Sequence, residues 1–216
     1  MIKLEQIVKR YSGGFEALSQ VSLNIEKGSM VFITGHSGAG KTTLLKLISA
    51  LETPTSGRVV INNQCLNHLN KRDRAYYRSN LGIIFQMPNL LNNRSVFDNV
   101  ALPLHIHGMQ PLMIAKRVHA ALDMVGLLDK EKLLPIYLSA GEQQRVGIAR
   151  AVVHKPLLLL ADEPTGNLDP MLSTGIMKLF EQFHQVGVSI LIATHDLSLI
   201  AGMKHRIVML KDGKIC

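Results

Sequence analysis

The sequence predicts an α/β domain built on buried parallel strands, with a helical lobe inserted into it. Three observations carry this: strand and helix patterns alternate as βαβ toward the C-terminus, a glycine-rich turn joins a strand to a helix at residues 35–42, and helical patterning takes over between Asn67 and Pro135. In chain order, strand-like runs stand at Ile2 to Val8, Val21 to Ile25 and Met30 to Thr34, separated by turn residues such as Gly13-Gly14 and Lys27-Gly28. A helical pattern follows from Lys41 to Leu51. In the inserted segment Ala115, Val118, Leu122 and Val125 recur at the spacing of one helical face. Leu157 to Ala161 then reads as a buried strand, Leu172, Ile176, Leu179, Phe180 and Phe183 as one side of a helix, and Val188 to Ala193 as the next strand.

A length of 216 residues suits one well-buried domain. A hydrophobic share of 47% against 19% charged residues excludes intrinsic disorder. The longest apolar run, Leu157 to Ala161, is far short of the roughly 20 residues of a membrane-spanning helix. Met1 to Tyr11 carries Lys3, Glu5, Lys9 and Arg10 and lacks a secretory apolar stretch, so the chain is expected to stay in the cytosol. Cys65 and Cys216 form neither a disulfide framework nor a zinc spacing. The formal charge of +8 favours anionic partners: nucleotide, nucleic acid or an acidic membrane face. With no Trp and 5% aromatics, the stacking platforms of single-strand binders are scarce.

The chemistry concentrates in a few segments. Gly35-His36-Ser37-Gly38-Ala39-Gly40-Lys41-Thr42 fits GxxxxGK[ST] and stands after an apolar strand and at the start of a helix, where that pattern cradles phosphates. Glycines let backbone N–H groups converge on phosphate oxygens, and the helix N-terminus adds its dipole. Lys41 is placed to reach the β- and γ-phosphates, and the Thr42 hydroxyl to face Mg²⁺, which takes oxygen ligands. The strand ending in Ala161-Asp162-Glu163 puts two carboxylates at the edge where parallel sheets bind ligands. Asp162 suits the metal, and Glu163 suits the proton of a water aimed at the γ-phosphate. Leu138-Ser139-Ala140-Gly141-Glu142 opens another helix, with Val146, Ala149 and Val153 on one face, Ser139 as N-cap and Glu142 completing a capping box.

With these motifs in order, the chain from Tyr11 to about Gly213 resembles the ATP-binding subunits of ABC transporters. The glycine-rich loop resembles Walker A, Leu158 to Asp162 resembles Walker B, and the Ser139 segment is similar to the LSGGQ signature, with Ala140 where glycine is usual. The resemblance implies a P-loop NTPase fold with a RecA-like parallel core, a small antiparallel β subdomain and a helical subdomain over roughly 87–155 that includes the signature. It implies that ATP and Mg²⁺ bind, that Tyr11 stacks on adenine, and that Thr43 joins the phosphate loop. Gln86, after the apolar run Leu81 to Phe85, is implied to touch Mg²⁺ and to sense a membrane partner. Asn167-Leu168-Asp169 is implied to cross a dimer interface, and His195 to contact the γ-phosphate. Ser139, Gly141 and Glu142 are implied to meet the nucleotide of a second copy, so that a homodimer forms in the ATP state.

Within that family, Gly35 to Ile48, Asp98 to Leu104, Ala121 to Lys130 and Glu142 to Pro156 most resemble the cell-division branch. This implies an FtsX-like integral membrane partner, other division proteins as further partners, and a peripheral position on the cytoplasmic face of the bacterial inner membrane. The ATPases of the lipoprotein-releasing and MacB-type exporters share many of these residues, Gln86 to Leu91 included. Two rival classes stay open. One is a DNA-associated ABC ATPase, suggested by charge although long heptads and a cysteine cluster are lacking. The other is a regulatory module that binds nucleotide without turnover. No nucleic-acid partner is expected. Met87 to Leu104, apolar and next to Gln86, is expected to form the groove for the membrane partner.

Overall fold

The structure, a computed structural model, describes residues 1–166 and 168–216. Its N-terminal part is an antiparallel sheet in which β1 (Ile2–Arg10) lies between β2 (Glu16–Ile25) and β4 (Ser56–Ile61), and β4 carries a short β5 (Gln64–Cys65). Inward and outward side chains alternate along β1 as far as Leu4, and a register shift then brings Ile7 back to the core. Gln6 sits inside that irregularity with φ of 48°, the extra residue of a bulge.

The second sheet has the order β10-β9-β3-β8-β7-β6. Its strands β3 (Met30–Thr34), β6 (Gly82–Ile84), β7 (Leu158–Asp162), β8 (Ser189–Thr194) and β9 (Arg206–Lys211) pair in parallel, and β10 (Lys214–Ile215) adds an antiparallel edge. Every residue of β3 and β8 is buried, as unbroken apolar strands require in a sheet covered on both faces. Alternate residues serve two cores. Phe32, Leu159, Ala161, Ile190 and Ile192 face the helical side, whereas Val31, Ile33, Leu158, Leu160 and Leu191 face the antiparallel sheet and α1 (Lys41–Ile48).

On the helical side pack α3 (Val96–Ile106), α4 (Pro111–Met124), α5 (Ala140–Val152) and α6 (Pro170–Gln185), whereas α2 (Lys71–Ser79) is amphipathic without a fully buried residue. A short α7 (Leu197–Ile200) follows β8. Asn99 of α3 is fully buried, and its amide accepts from Leu91 N at 2.8 Å while donating to the carbonyls of Leu91, Arg94 and Ser95 at 3.0, 3.2 and 2.9 Å. One side chain thus folds the segment between β6 and α3.

Several boundaries differ from expectation. The helix after the glycine-rich turn stops at Ile48 rather than Leu51, because Ala50 adopts φ of 53° and turns the chain. The strands expected at 157–161 and 188–193 each sit one residue later, which leaves Leu157 exposed. The segment from Asn67 to Pro135 is helical, as read, except for β6, which joins the parallel sheet beside β7. Among the described residues no helix is long and apolar enough to cross a membrane.

Candidate active site

The site is assembled at the C-terminal ends of β3, β6, β7 and β8. After Thr34 the chain turns through Gly35, where a Cβ would run into the Leu210 carbonyl of β9. Gly40 caps α1 with φ of 104°, and a Cβ there would lie 2.6 Å from the Ala17 carbonyl oxygen. Both glycines let the loop pass where a side chain has no room. Side chains of Asn70, Ser95, Ser139 and Asp169 cap α2, α3, α5 and α6, whereas no described side chain caps α1 and no acid lies in its first turn. Its N-terminal amides and dipole are therefore available to an anion.

Lys41 lies buried across this loop. Its Nζ donates to the carbonyl oxygens of Gly35 at 2.7 Å and His36 at 3.2 Å, and sits 3.5 Å from Glu163 Oε1. Glu163 follows β7 with φ of 47°, a strained value for a side-chain-bearing residue. Its amide donates to the Ala193 carbonyl at 2.9 Å, and Oε2 lies 2.9 Å from His195 Nδ1 while accepting from the His195 amide at 3.3 Å. The carboxylate is thus clamped between an ammonium and an imidazole, with its side chain only 12% exposed.

Burial pushes the Asp162 carboxyl above its ordinary range, with the Thr42 hydroxyl pulling it down and neighbouring Glu163 pushing it further up. Asp162 Oδ1 is buried without a hydrogen-bond partner among the described residues. A desolvated orphan oxygen beside a threonine hydroxyl is the donor set of a hard divalent cation.

Lys41, Thr42, Glu163 and His195 face one cleft of about 460 Å³, the size of a nucleotide pocket, and Asp162 is not among its described lining residues. His36, Ser37, Gly38, Gly40, Lys41, Thr42 and Thr43 form its floor, Gln86, Glu163 and His195 one wall, and Phe15 with Ala17 the other. His36 is held by the Ser37 carbonyl at 2.7 Å and by Asp212 at 3.2 Å. Ala39 is fully buried under the loop. Tyr11 stands beside the cleft: its hydroxyl is 3.3 Å from Thr43 Oγ1 and donates to Glu52 at 3.0 Å, and Lys9 lies over its ring at 5.0 Å. Phe15, an exposed aromatic after the Gly13-Gly14 turn, also lines the cleft and is not among the residues the motifs single out. Its one signal was a second aromatic four residues from Tyr11.

Other expected residues gather elsewhere. Ser139 and Glu142 form a reciprocal capping box on α5, Ser139 N donating to Glu142 Oε2 at 2.8 Å and Glu142 N to Ser139 Oγ at 3.3 Å. The Lys130 ammonium, then the Ser139 amide, pull the Glu142 carboxyl down to about 2. A Cβ on Gly141 would meet Leu168 at 3.2 Å and Leu172 at 3.3 Å, so the start of α5 abuts the start of α6. Asp169 caps α6 through Leu172 N at 2.9 Å. Asn167 lies outside the described residues. Ser139, Gly141, Glu142 and Asp169 are not among the described residues lining the cleft of their own copy.

Helix α5 also grips the segment that carries Gln86. Buried Gln144 donates to the Phe85 carbonyl at 3.2 Å, and Arg150 bonds the carbonyls of Pro88 and, at 3.1 Å, Asn89.

A family model described as ABC transporter matches residues 18–166. The chain is 54% identical, over 100% of its length and 97% of the relative, to the cell division ATP-binding protein FtsE of Escherichia coli strain K12. It is 48% identical, over 99% of its length and 98% of the relative, to FtsE of Haemophilus influenzae. Among solved structures it resembles the dimeric, post-hydrolysis ATP-binding cassette MJ0796 bound to ADP and Pi, with TM-score 0.94 at 37% identity, covering 100% of this chain and 96% of that one.

Proposed function

The chain belongs to the ABC transporter family, and from that premise we propose that it is the ATP-hydrolysing subunit of an FtsEX-type cell-division complex. The observation that carries the reading is Glu163, held between Lys41 and His195 at the mouth of an uncapped helix. In this reading the phosphates of ATP lie on the 35–42 loop and α1, and Lys41 turns from its loop carbonyls toward the β- and γ-phosphates. Glu163 accepts the proton of the attacking water, and His195 orients that carboxylate and contacts the γ-phosphate. Tyr11 and the loop residues from Gly35 to Thr43 bind the nucleotide. Thr42, Asp162 and Gln86 would supply oxygens for Mg²⁺, a role that suits the buried Asp162 Oδ1, which has no hydrogen-bond partner among the described residues. When bound, that ion neutralises charge on the phosphate oxygens.

A second copy completes the site. Ser139 and Gly141, at the N-terminus of a capped helix turned away from their own cleft, suit the γ-phosphate of the other copy, with Glu142 and Asp169 beside that interface. Closure of the homodimer on ATP and its opening after hydrolysis move an FtsX-like membrane protein, which regulates cell-wall hydrolysis on the far side of the membrane. The chain works at the cytoplasmic face of the inner membrane, and its helical subdomain, about 87–155, transmits the motion. Met87 and Leu91 are exposed next to Gln86 and form the docking groove with Leu90 and Leu102.

Co-purification of the full chain from membranes, with identification of the bound integral protein, tests the assignment. An FtsX-like partner is expected, and an exporter permease would overturn it. Charged residues at Leu90 and Leu91 should abolish capture while ATP binding persists. Retained capture would remove the groove.

A further inference from the structure

Far along the chain from the phosphate loop, three side chains that the ATPase reading does not use converge on one point. Glu181 and His184 stand three residues apart near the C-terminal end of α6, on one helical face. His205 immediately precedes β9. One ligand atom from each lies within 4.8 Å of the other two. The His184 and His205 rings meet at 4.9 Å between centroids and 84°, and His205 Nε2 lies 2.8 Å from Glu181 Oε1. We propose that Glu181, His184 and His205 form a site for one Zn²⁺ ion, independent of the nucleotide site.

The chemistry favours zinc over a hard cation. Two imidazoles and one carboxylate are a donor set that Zn²⁺ takes at about 2.0–2.2 Å, with the fourth tetrahedral position left to water. Neighbouring ligand atoms of such a tetrahedron stand roughly 3.3 Å apart, so rotamer adjustments of about an ångström close the site. Its floor is already built, since His205 is mostly buried and rests on the core residue Phe32 at 6.2 Å between ring centroids. The adjacent Arg206 turns its guanidinium away to the Asn24 carbonyl at 2.7 Å, leaving the Glu181 carboxylate to the ion. Binding replaces the Glu181–His205 contact by two metal bonds and ties the end of α6 to the entry of β9.

Calorimetric Zn²⁺ titration of the purified full chain, paired with visible spectra of the Co²⁺-loaded protein, tests the site. One equivalent of Zn²⁺ is expected, with affinity lowered about tenfold or more by His184→Ala and by His205→Ala. The ligand-field bands of Co²⁺ should vanish in both variants and persist in His195→Ala. Zn²⁺ should raise the melting temperature of the unsubstituted chain and not that of the two variants. Glu181→Gln, which keeps a hydrogen bond to His205 but loses the charge, should fold normally and bind Zn²⁺ more weakly. The proposal is overturned if no equivalent binds at micromolar Zn²⁺, or if affinity and Co²⁺ spectrum are unchanged in His184→Ala and His205→Ala.

Discussion

Glu163 Oε2 lies 2.9 Å from His195 Nδ1, while the other oxygen of the same carboxylate faces the Lys41 ammonium at 3.5 Å. The three groups proposed as proton acceptor, orienting partner and phosphate anchor are thus in contact, although they come from the ends of β7 and β8 and the start of α1. Positioning of this kind is the main contribution a protein makes to phosphoryl transfer.

Glu163→Gln keeps the shape and the strained backbone but removes the proposed proton acceptor. ATP turnover, measured as phosphate release, should fall by about 10²–10⁴-fold with ATP affinity retained. His195→Ala should lower turnover in the same direction by loosening Glu163. Lys41→Ala should instead weaken ATP binding by about tenfold or more, since a charge-assisted contact to phosphate is lost. Unchanged turnover in all three would remove the catalytic assignment.

Ala140 is exposed at the first position of α5, where the family most often has glycine. Its methyl stands between Ser139 and Gly141, the two residues proposed to meet the nucleotide of a second copy. Ala140→Gly should increase ATP-dependent dimerisation of the Glu163→Gln protein in sedimentation velocity, and increase turnover when Glu163 is intact. The cost in helix stability is at most about 1 kcal/mol, because the position is terminal.

Asn99→Ala should be among the most damaging changes outside the cleft. It strips partners from the Leu91 amide and from three carbonyls around a fully buried position. A loss of roughly 2–4 kcal/mol in urea unfolding is expected. A loss below about 0.5 kcal/mol would mean that water replaces the amide.

His154 gives the fold an acid-labile point. Burial, then the charge of His107 and more weakly that of Arg117, outweighs the Leu81 backbone, which favours the charged form, and pulls its imidazole down to about 4 from an ordinary value of 6.5. Its ring stacks on His107 at 5.6 Å, and both nitrogens lack hydrogen-bond partners among the described residues. Because the folded value lies below the unfolded one, the unfolded chain takes up the proton first. The contribution is complete above about pH 6.5 and is lost as pH falls toward 4, with a slope of at most about 1.4 kcal/mol per pH unit. His154→Leu should flatten unfolding free energy against pH in that window, and an unchanged slope would place the acid sensitivity elsewhere.

The cleft was legible in the sequence because its parts are local: Lys41 and Thr42 lie within one turn of the glycines, and Asp162 and Glu163 end an apolar strand. The capping box of Ser139 and Glu142 was legible for the same reason. Phe15 escaped because an aromatic after a turn has no fixed spacing to the loop it walls. β6 is legible only as the apolar run Leu81 to Phe85 before Gln86: its three strand residues are too few to show a period, so neither its bounds nor its place beside β7 follows from the sequence. The convergence of Glu181, His184 and His205 was hidden by chain distance, since nothing in residues 185–204 announces that β9 returns beside the end of α6. The shortened α1 depended on the left-handed Ala50, for which the sequence offers no glycine or asparagine.

Where Gly141 abuts Leu168 and Leu172, even one added methyl would have to shoulder the leucines aside by a few tenths of an ångström. The contact leaves no spare volume for a side chain, so any residue larger than glycine at position 141 would have to part the tips of α5 and α6. The same helix α5 holds, through Gln144 and Arg150, the stretch after β6. In the proposed reading one helix therefore borders both the face offered to a neighbouring copy and the segment next to Gln86, and the missing side chain at position 141 sets how near its tip comes to α6.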